Sequence, residues 1–135
     1  MTDEVIEGRC DCGGVRWTFR GDPGELTVCN CGFCRRVGVL WAYGSVLNIT
    51  VEGETVAYQR AERNIDFHHC PTCGTVTHWE SLARPDSVHY GRRAVNMRLA
   101  DPRLVLGRPV ERLDGADTWR SLQPGEQAEV PFLSM

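Results

Sequence analysis

Seven cysteines stand in three short stretches of this chain: Cys10-Asp11-Cys12, Cys29-Asn30-Cys31-Gly32-Phe33-Cys34 and Cys70-Pro71-Thr72-Cys73. Zinc takes four thiolates in a structural site, whereas it takes three protein ligands where one position stays open for chemistry. Seven cysteines supply one site of each kind. The count therefore predicts two zinc ions per chain, one in a closed site and one in a site with an open position.

The N-terminus and the odd number of cysteines favour metal binding over disulfides. Residues 1–7 contain neither a basic region nor an apolar stretch, so the sequence predicts no signal peptide. No segment reaches the roughly 18 apolar residues that a membrane span needs. We therefore expect a cytoplasmic protein without membrane contact, where thiols stay reduced and clustered cysteines are typically ligands.

The length of the chain indicates the number of domains, and its charge bears on the kind of partner it can bind. The 135 residues fit one domain, which we expect to span 1–135, with a core at about 6–122 and an irregular tail at 123–135. All 15 basic residues are arginines, and 18 acidic residues give a net charge of −3. This balance argues against a nucleic-acid partner, because such binding depends on neutralising phosphates. The sequence does not predict the oligomeric state.

Apolar and polar residues alternate over short segments, which is typical of strands. Val15–Arg20 alternates strictly, with Val15, Trp17 and Phe19 on one face. Further predicted strands are Leu26–Val28, Val39–Tyr43, Val46–Val51, Thr55–Gln59, Asn64–His68, Thr75–Trp79, Ser87–Tyr90, Arg93–Leu99 and Pro109–Leu113. One short helix is predicted at Cys34–Gly38. The pattern predicts an all-β fold of several short antiparallel sheets.

Two of the cysteine stretches have the form of paired zinc ligands. Two residues separate Cys70 from Cys73, so both sulfurs can face one metal, and Gly74 can adopt the positive φ of a tight turn. Cys10 and Cys12 form a second pair that is also followed by glycine. Two pairs make a closed four-thiolate site, and a structural zinc of this kind contributes on the order of 10 kcal/mol to a small domain.

The middle stretch brings three thiolates, Cys29, Cys31 and Cys34, from one short segment. Water, a substrate thiol or a histidine could take the fourth position, and His68 or His69, which lie close to the third cysteine stretch, could cross over to do so. A histidine would close the site and favour a binding module over an enzyme. The spacing also allows two structural sites, or one shared site with spare cysteines.

The other conspicuous side chains have simpler interpretations. We expect the four tryptophans to serve in packing: Trp17, Trp41, Trp79 and Trp119. His78 alternates with Val76 and is predicted on the polar side of its strand. Asp66 and Glu80 are assigned no role.

The three cysteine motifs together resemble those of the glutathione-dependent formaldehyde-activating enzymes, a family that includes the centromere protein V domains. The resemblance covers roughly residues 6–122. The matching segments are Gly8-Arg9-Cys10-Asp11-Cys12-Gly13-Gly14-Val15, Cys29-x-Cys31-x-x-Cys34-Arg35-Arg36, Cys70-Pro71-Thr72-Cys73-Gly74-Thr75, Val95-Asn96, Leu99-Ala100-Asp101-Pro102 and Trp119. His69 replaces a phenylalanine that many members have before the third motif, and Val37–Tyr43 also departs from the pattern.

The resemblance implies a β-tent fold of small sheets pinned by zinc. It implies a structural zinc on one cysteine set, Cys10, Cys12, Cys70 and Cys73, and an activity-linked zinc on Cys29, Cys31 and Cys34. The family reaction joins glutathione and formaldehyde to give S-hydroxymethylglutathione. We therefore predict a zinc-dependent carbon–sulfur lyase acting on a thiol adduct of formaldehyde or a related small aldehyde, with Arg35 and Arg36 pairing with glutathione carboxylates. The alternative is a non-enzymatic zinc module that binds a thiol or a protein partner.

Overall fold

The computed structural model describes residues 4–60 and 64–133 and is built almost entirely from short strands. In chain order these are β1 (Val5–Arg9), β2 (Arg16–Arg20), β3 (Leu26–Cys29), β4 (Trp41–Ser45), β5 (Ile49–Glu52), β6 (Val56–Gln59), β7 (Ile65–His69), β8 (Val76–Ser81), β9 (Arg92–Asn96) and β10 (Val110–Leu113). Helix α1 covers Gly32–Val37, a 3-10 turn covers Met97–Leu99, and helix α2 covers Pro102–Val105. The prediction of an all-β fold is confirmed.

The strands form two sheets. The small sheet has the order β1-β2-β5, and the large sheet has the order β10-β3-β4-β9-β8-β7-β6. Neighbouring strands are antiparallel except for β3 and β10, where Leu26 lies beside Val110 and Cys29 beside Leu113 in parallel register. The expectation of antiparallel sheets therefore fails at this one edge. A parallel pair needs a long crossover, and here most of the chain lies between the two strands.

The main apolar core lies between the two sheets. Trp17 and Phe19, on one face of β2, are each 1% exposed and pack with residues from the large sheet such as Val28 and Val95. Burying an apolar side chain of this size stabilises the fold by about 1.5–3 kcal/mol. A Cβ at Gly8 would overlap the Trp17 indole, so glycine is required for the close approach of β1.

The opposite face of the large sheet carries a second cluster that contains the cysteine triplet. Successive residues of a strand point to opposite faces. Val28 therefore joins the main core, whereas Cys29 faces the second cluster with Trp41 and Trp79. The large sheet thus separates the core from the candidate site. Trp17, Trp41 and Trp79 are buried, as the packing interpretation expects.

The structure corrects several predicted boundaries. Ser87–Tyr90 is a turn rather than a strand: the Tyr90 amide donates to the Ser87 carbonyl, and Gly91 follows with a φ of 75°. β1 was not predicted, β5 begins only at Ile49, and β9 gives way to the 3-10 turn after Asn96. Helix α1 begins two residues earlier than expected, at Gly32.

The C-terminal segment 123–133 forms no helix or strand. It nevertheless contacts the body of the protein. The buried Asn30 amide donates to the Val130 carbonyl at 2.9 Å, and Arg112 Nη2 donates to the Gln123 carbonyl at 2.7 Å. Asn30 adjoins two of the triplet cysteines, so the tail helps to fix the loop that carries them.

Candidate metal centres

Four sulfur atoms meet where a turn of the small sheet approaches a turn of the large one. The Sγ atoms of Cys10, Cys12, Cys70 and Cys73 all lie within 4.8 Å of one another. Cys12 Sγ is 3.7 Å from Cys10 Sγ and 3.6 Å from Cys70 Sγ. A tetrahedron of sulfurs, each about 2.3 Å from zinc, has edges of about 3.8 Å. The four-cysteine cluster therefore has the size and the donor set that zinc requires.

Two hairpin turns with matching backbone bonds build this cluster. In the β1–β2 turn, the Cys10 amide donates to the Val15 carbonyl; in the β7–β8 turn, the Cys70 amide donates to the Thr75 carbonyl. Backbone amides also donate to sulfur, from Val15 to Cys10 Sγ at 3.3 Å and from Thr72 to Cys70 Sγ at 3.4 Å. Such donors orient metal ligands and stabilise thiolates.

The cysteine triplet lies at the junction of β3 and α1. Cys29 ends the strand, Cys31 caps the N-terminus of the helix, and Cys34 lies in its first turn. Their three Sγ atoms lie within 4.8 Å of one another. The Cys31 amide donates to Cys29 Sγ and the Cys34 amide to Cys31 Sγ, both at 3.4 Å. One turn of chain thus presents three sulfurs on one side.

Two side chains also donate to the triplet. The Trp41 indole Nε1 donates to Cys34 Sγ at 3.4 Å, and Arg60 Nη1 donates to Cys31 Sγ at 3.3 Å. These contacts stabilise negative charge on the sulfurs. The motif spacing gave no sign of either partner, because Trp41 reaches the site from β4 and Arg60 from the segment after β6.

The pKa values of the triplet thiols diverge because the three sulfurs lie in contact with one another. Hydrogen bonds from Cys29 and Cys34 lower the pKa of the Cys31 thiol to about 2, whereas contact with Cys29 and then Cys31 raises the pKa of Cys34. Three thiolates this close repel one another unless a cation lies among them. A divalent metal ion would replace the thiol protons, so the donor chemistry fits zinc here too.

Within residues 4–60 and 64–133, no histidine or carboxylate joins the cysteine triplet as a fourth metal ligand. Phe67 packs against the triplet, whereas the next residue, His68, points to the opposite face and stacks on His78 at 4.3 Å. The structure therefore does not bring His68 to the second site. It also separates all seven cysteines into a group of four and a group of three, with none to spare.

A cavity of about 340 Å³ opens over the triplet. Its walls are mainly aromatic and include Trp41, Phe67 and Trp79, with Arg60 at one side. Phe33 stacks on Phe67 at 4.0 Å and completes the packing of this wall. Ligand cavities typically combine such apolar walls with a few polar groups.

Arg35 and Arg36, the predicted glutathione contacts, lie on the exposed side of α1 and are not among the residues that line the cavity. Arg36 Nη1 donates to the Gly32 carbonyl of its own helix at 2.7 Å. Their contact with glutathione stays a prediction. Trp119, which was expected to pack, is 56% exposed and lines the cavity instead.

Gly115 provides a selective test of the triplet, because its backbone passes directly beside the sulfurs. A Cβ at this position would overlap Cys29 Sγ and lie 3.2 Å from Cys31 Cβ. We expect Gly115→Ala to displace Cys29 and to reduce the zinc content, predicted from the sequence as two ions per chain, to about one. Elemental analysis measures this content, and the melting temperature reports on the four-cysteine cluster.

Gly32→Ala is the matched control for this substitution. It lies in the triplet loop, but its Cβ would meet only the flexible end of Arg36, at 3.3 Å. Equal zinc contents in the two alanine variants would contradict the expected crowding of Cys29.

A polar network that joins β7, β8 and β9 of the large sheet was not anticipated. His78, predicted on the polar side of β8, is 2% exposed and faces the interior. Its Nε2 lies 3.6 Å from Glu80 Oε1, and His68 Nε2 lies 3.6 Å from Glu80 Oε2. Arg93 Nη2 approaches the same carboxylate at 3.0 Å. The alternation of His78 and Glu80 along β8 was the available signal, since both side chains share one face.

The two histidines and Glu80 could in principle hold a metal ion. Arg93, however, already supplies the positive charge that the carboxylate needs. We therefore interpret these residues as an ion-pair network that joins β7, β8 and β9.

Glu80→Gln should destabilise the protein by roughly 2 kcal/mol, because it leaves the Arg93 guanidinium without its anion. The proximity of His78, followed by the charge of Arg93, lowers the pKa of Glu80 from 4.5 to about 2. The stabilisation is then complete above pH 4.5 and lost only as the pH falls towards 2. Urea unfolding at pH 8 should show this gap between wild type and Glu80→Gln. Equal stability of the two proteins at that pH would contradict the assignment.

Comparison with known proteins agrees with the cysteine pattern. The family model described as glutathione-dependent formaldehyde-activating enzyme matches residues 5–97, more than half of the chain. The crystal structure of a Rhodobacter sphaeroides protein is similar, with a TM-score of 0.61 and 26% sequence identity over 77% of this chain and 98% of that one. No curated protein matches the sequence significantly. In the described part of the chain, no helix has the length and apolar character to cross a membrane.

Proposed function

Because the chain belongs to the family of glutathione-dependent formaldehyde-activating enzymes, we propose that it is a zinc-dependent carbon–sulfur lyase. Its substrate is the adduct of glutathione, or of another thiol, with formaldehyde or a related small aldehyde. One observation carries this proposal. Three cysteine sulfurs converge at an aromatic-lined cavity, and no fourth protein ligand joins them among the described residues.

The two groups of cysteines have different roles, one in stability and the other in catalysis. Cys10, Cys12, Cys70 and Cys73 hold a structural zinc. The ligands of a second zinc are Cys29, Cys31 and Cys34. Zinc bound to these three residues would supply the positive charge that keeps a substrate thiol in its thiolate form. All seven thiols are free of disulfides, and we place the protein in the cytoplasm, where reducing conditions preserve these ligands.

The reaction adds a sulfur nucleophile to a carbonyl carbon. In the synthetic direction a carbon–sulfur bond forms, the π pair of the carbonyl moves to oxygen, and that oxygen takes the proton that the thiol gave up. The aromatic walls exclude water and hold the small aldehyde beside the sulfur. Tyr43 also lines the cavity, and burial raises its pKa to about 12. Its phenol therefore stays protonated at neutral pH and can donate a hydrogen bond to the forming hydroxyl group.

Exchange spectroscopy by NMR tests this function. Glutathione, formaldehyde and their adduct are mixed with zinc-loaded protein, and the exchange rate is compared with that of the same mixture without protein. We expect a rate increase that scales with protein concentration. Thiols add to formaldehyde readily without a catalyst, so the protein-free rate is the essential reference. A rate equal to that reference would overturn the lyase proposal, and glutathione binding retained under those conditions would identify a non-enzymatic zinc module.

A further inference from the structure

A second, larger cavity adjoins the cavity over the cysteine triplet. Its volume is about 720 Å³, and six residues line both spaces: Tyr43, Asn64, Ile65, Trp79, Leu113 and Trp119. The two cavities therefore adjoin each other along these six residues. A ligand with its sulfur at the triplet can extend along these shared residues into the larger space, which is of the size that binds small molecules.

The larger cavity is lined by two arginines that do not line the smaller one. Arg84 and Arg92 both line it, together with His89. Within the described part of the chain, neither guanidinium forms an ion pair, and the contact of Arg92 is with the Tyr43 ring, 5.8 Å from its centroid. An arginine presents a planar fork of donors that matches a carboxylate.

One carboxylate, Glu111, also lines this cavity, but both of its oxygens already accept hydrogen bonds from hydroxyl groups. Glu111 Oε1 accepts from the Thr27 hydroxyl at 2.7 Å, and Oε2 accepts from the Ser121 hydroxyl at 2.5 Å. It makes no ion pair with Arg84 or Arg92. The two guanidiniums thus remain available to an anionic group that enters from the triplet side.

Trp119 lies where the cavities meet, and its backbone is strained. Its φ is 60°, and it is the one residue other than glycine with a positive φ in the described ranges. The loop is held by Asp114, whose carbonyl accepts from the Trp119 amide at 2.7 Å and whose carboxylate accepts from Asn30 at 2.8 Å. Strained backbone persists where the surrounding structure holds it, and it is frequent at ligand sites.

From these contacts we propose that the larger cavity binds the carboxylate-bearing part of the thiol substrate, with Arg84 and Arg92 as its charged ligands and the Trp119 ring along the path. This inference rests on the proposed function for the position of the sulfur. It selects thiols that carry carboxylates, such as glutathione, over neutral thiols. It also assigns the anion contacts to arginines outside the cysteine motifs rather than to Arg35 and Arg36.

Calorimetry with the zinc-loaded protein measures this selectivity directly. The ligands are glutathione and its diethyl ester, which has the same thiol but no free carboxylate. We expect Arg84→Gln and Arg92→Gln each to weaken glutathione binding about 10-fold, as expected for a lost charge-assisted hydrogen-bond pair. Binding of the ester should be weaker in the wild type and unchanged in the variants. The control is the double variant Arg20→Gln with Arg98→Gln, which removes two exposed charges away from both cavities.

The same variants in the NMR exchange assay separate this inference from the proposed function. If wild type accelerates exchange and the two variants bind glutathione like wild type, the lyase stands and the carboxylate subsite is wrong. If the wild type does not accelerate exchange but binds glutathione more tightly than its ester, and this preference depends on Arg84 and Arg92, the carboxylate subsite is supported and the lyase proposal is wrong. A wild type that binds the acid and the ester equally would also overturn the subsite. If only Arg35→Gln or Arg36→Gln weakened glutathione binding, the carboxylate contact would lie on α1 instead.

Discussion

Cys70→Ser should leave the chain without a cooperative fold at ambient temperature. The four-cysteine cluster joins a turn of the small sheet, through Cys10 and Cys12, to a turn of the large sheet, through Cys70 and Cys73. A structural zinc contributes on the order of 10 kcal/mol, which is comparable to the whole stability of a typical domain, about 5–15 kcal/mol. Loss of one thiolate removes most of that contribution.

Circular dichroism during heating, with zinc analysis of the same sample, measures this effect. Thr72→Ala is a suitable control because Thr72 lies between the two ligands but uses only its backbone amide on sulfur. A strong chelator should unfold the wild type in the same way. A Cys70→Ser protein that melts at the wild-type temperature would show that the four-cysteine cluster is not the structural clamp we propose.

Cys31→Ser should abolish the activity and preserve the fold. Cys31 caps the N-terminus of α1, where its sulfur accepts from the Cys34 amide. Serine is a favourable helix cap as well, so the helix keeps its first hydrogen bond while the thiolate is lost. We expect the zinc content to fall from two ions to about one per chain, and the thiol–aldehyde exchange rate to fall to its uncatalysed value.

The melting temperature is the control within this experiment. The triplet lies on the face of the large sheet that points away from the main core. Cys31→Ser should therefore lower the melting temperature by only a few degrees, in contrast to Cys70→Ser. Wild-type activity with one zinc per chain would contradict the role of the triplet, and global unfolding would show that the second site is structural too.

The strands that could be predicted were those whose alternation is strict. β2 follows directly from Trp17 and Phe19 between polar neighbours, because one buried face per strand produces a period of two. Ser87–Tyr90 has strand-forming residues but lies in a turn, because Gly91 reverses the chain after it. The parallel position of β10 has no local signal, since it depends on how the chain returns to the edge of β3.

The division of seven cysteines into four and three could be deduced from the sequence, because ligand spacing within a turn is a local property of the chain. Which pairs combine, and what surrounds them, depends on contacts between distant segments. Arg60 approaches the triplet from the segment after β6, whereas Gly115 and Trp119 approach it from the loop after β10. The burial of His78 likewise depends on a neighbouring strand, since His68 of β7 stacks on its ring.

The sequence by itself determined the number of cysteine thiols, their grouping along the chain and the family to which the chain belongs. Local spacing suffices for this because neighbouring ligands are held by one or two turns of backbone. Only the tertiary structure decided that no histidine among the described residues joins the triplet, and that an aromatic-walled cavity lies over it beside the larger cavity lined by Arg84 and Arg92. These features arise from the pairing and the faces of the strands, which are set by the burial of the whole core.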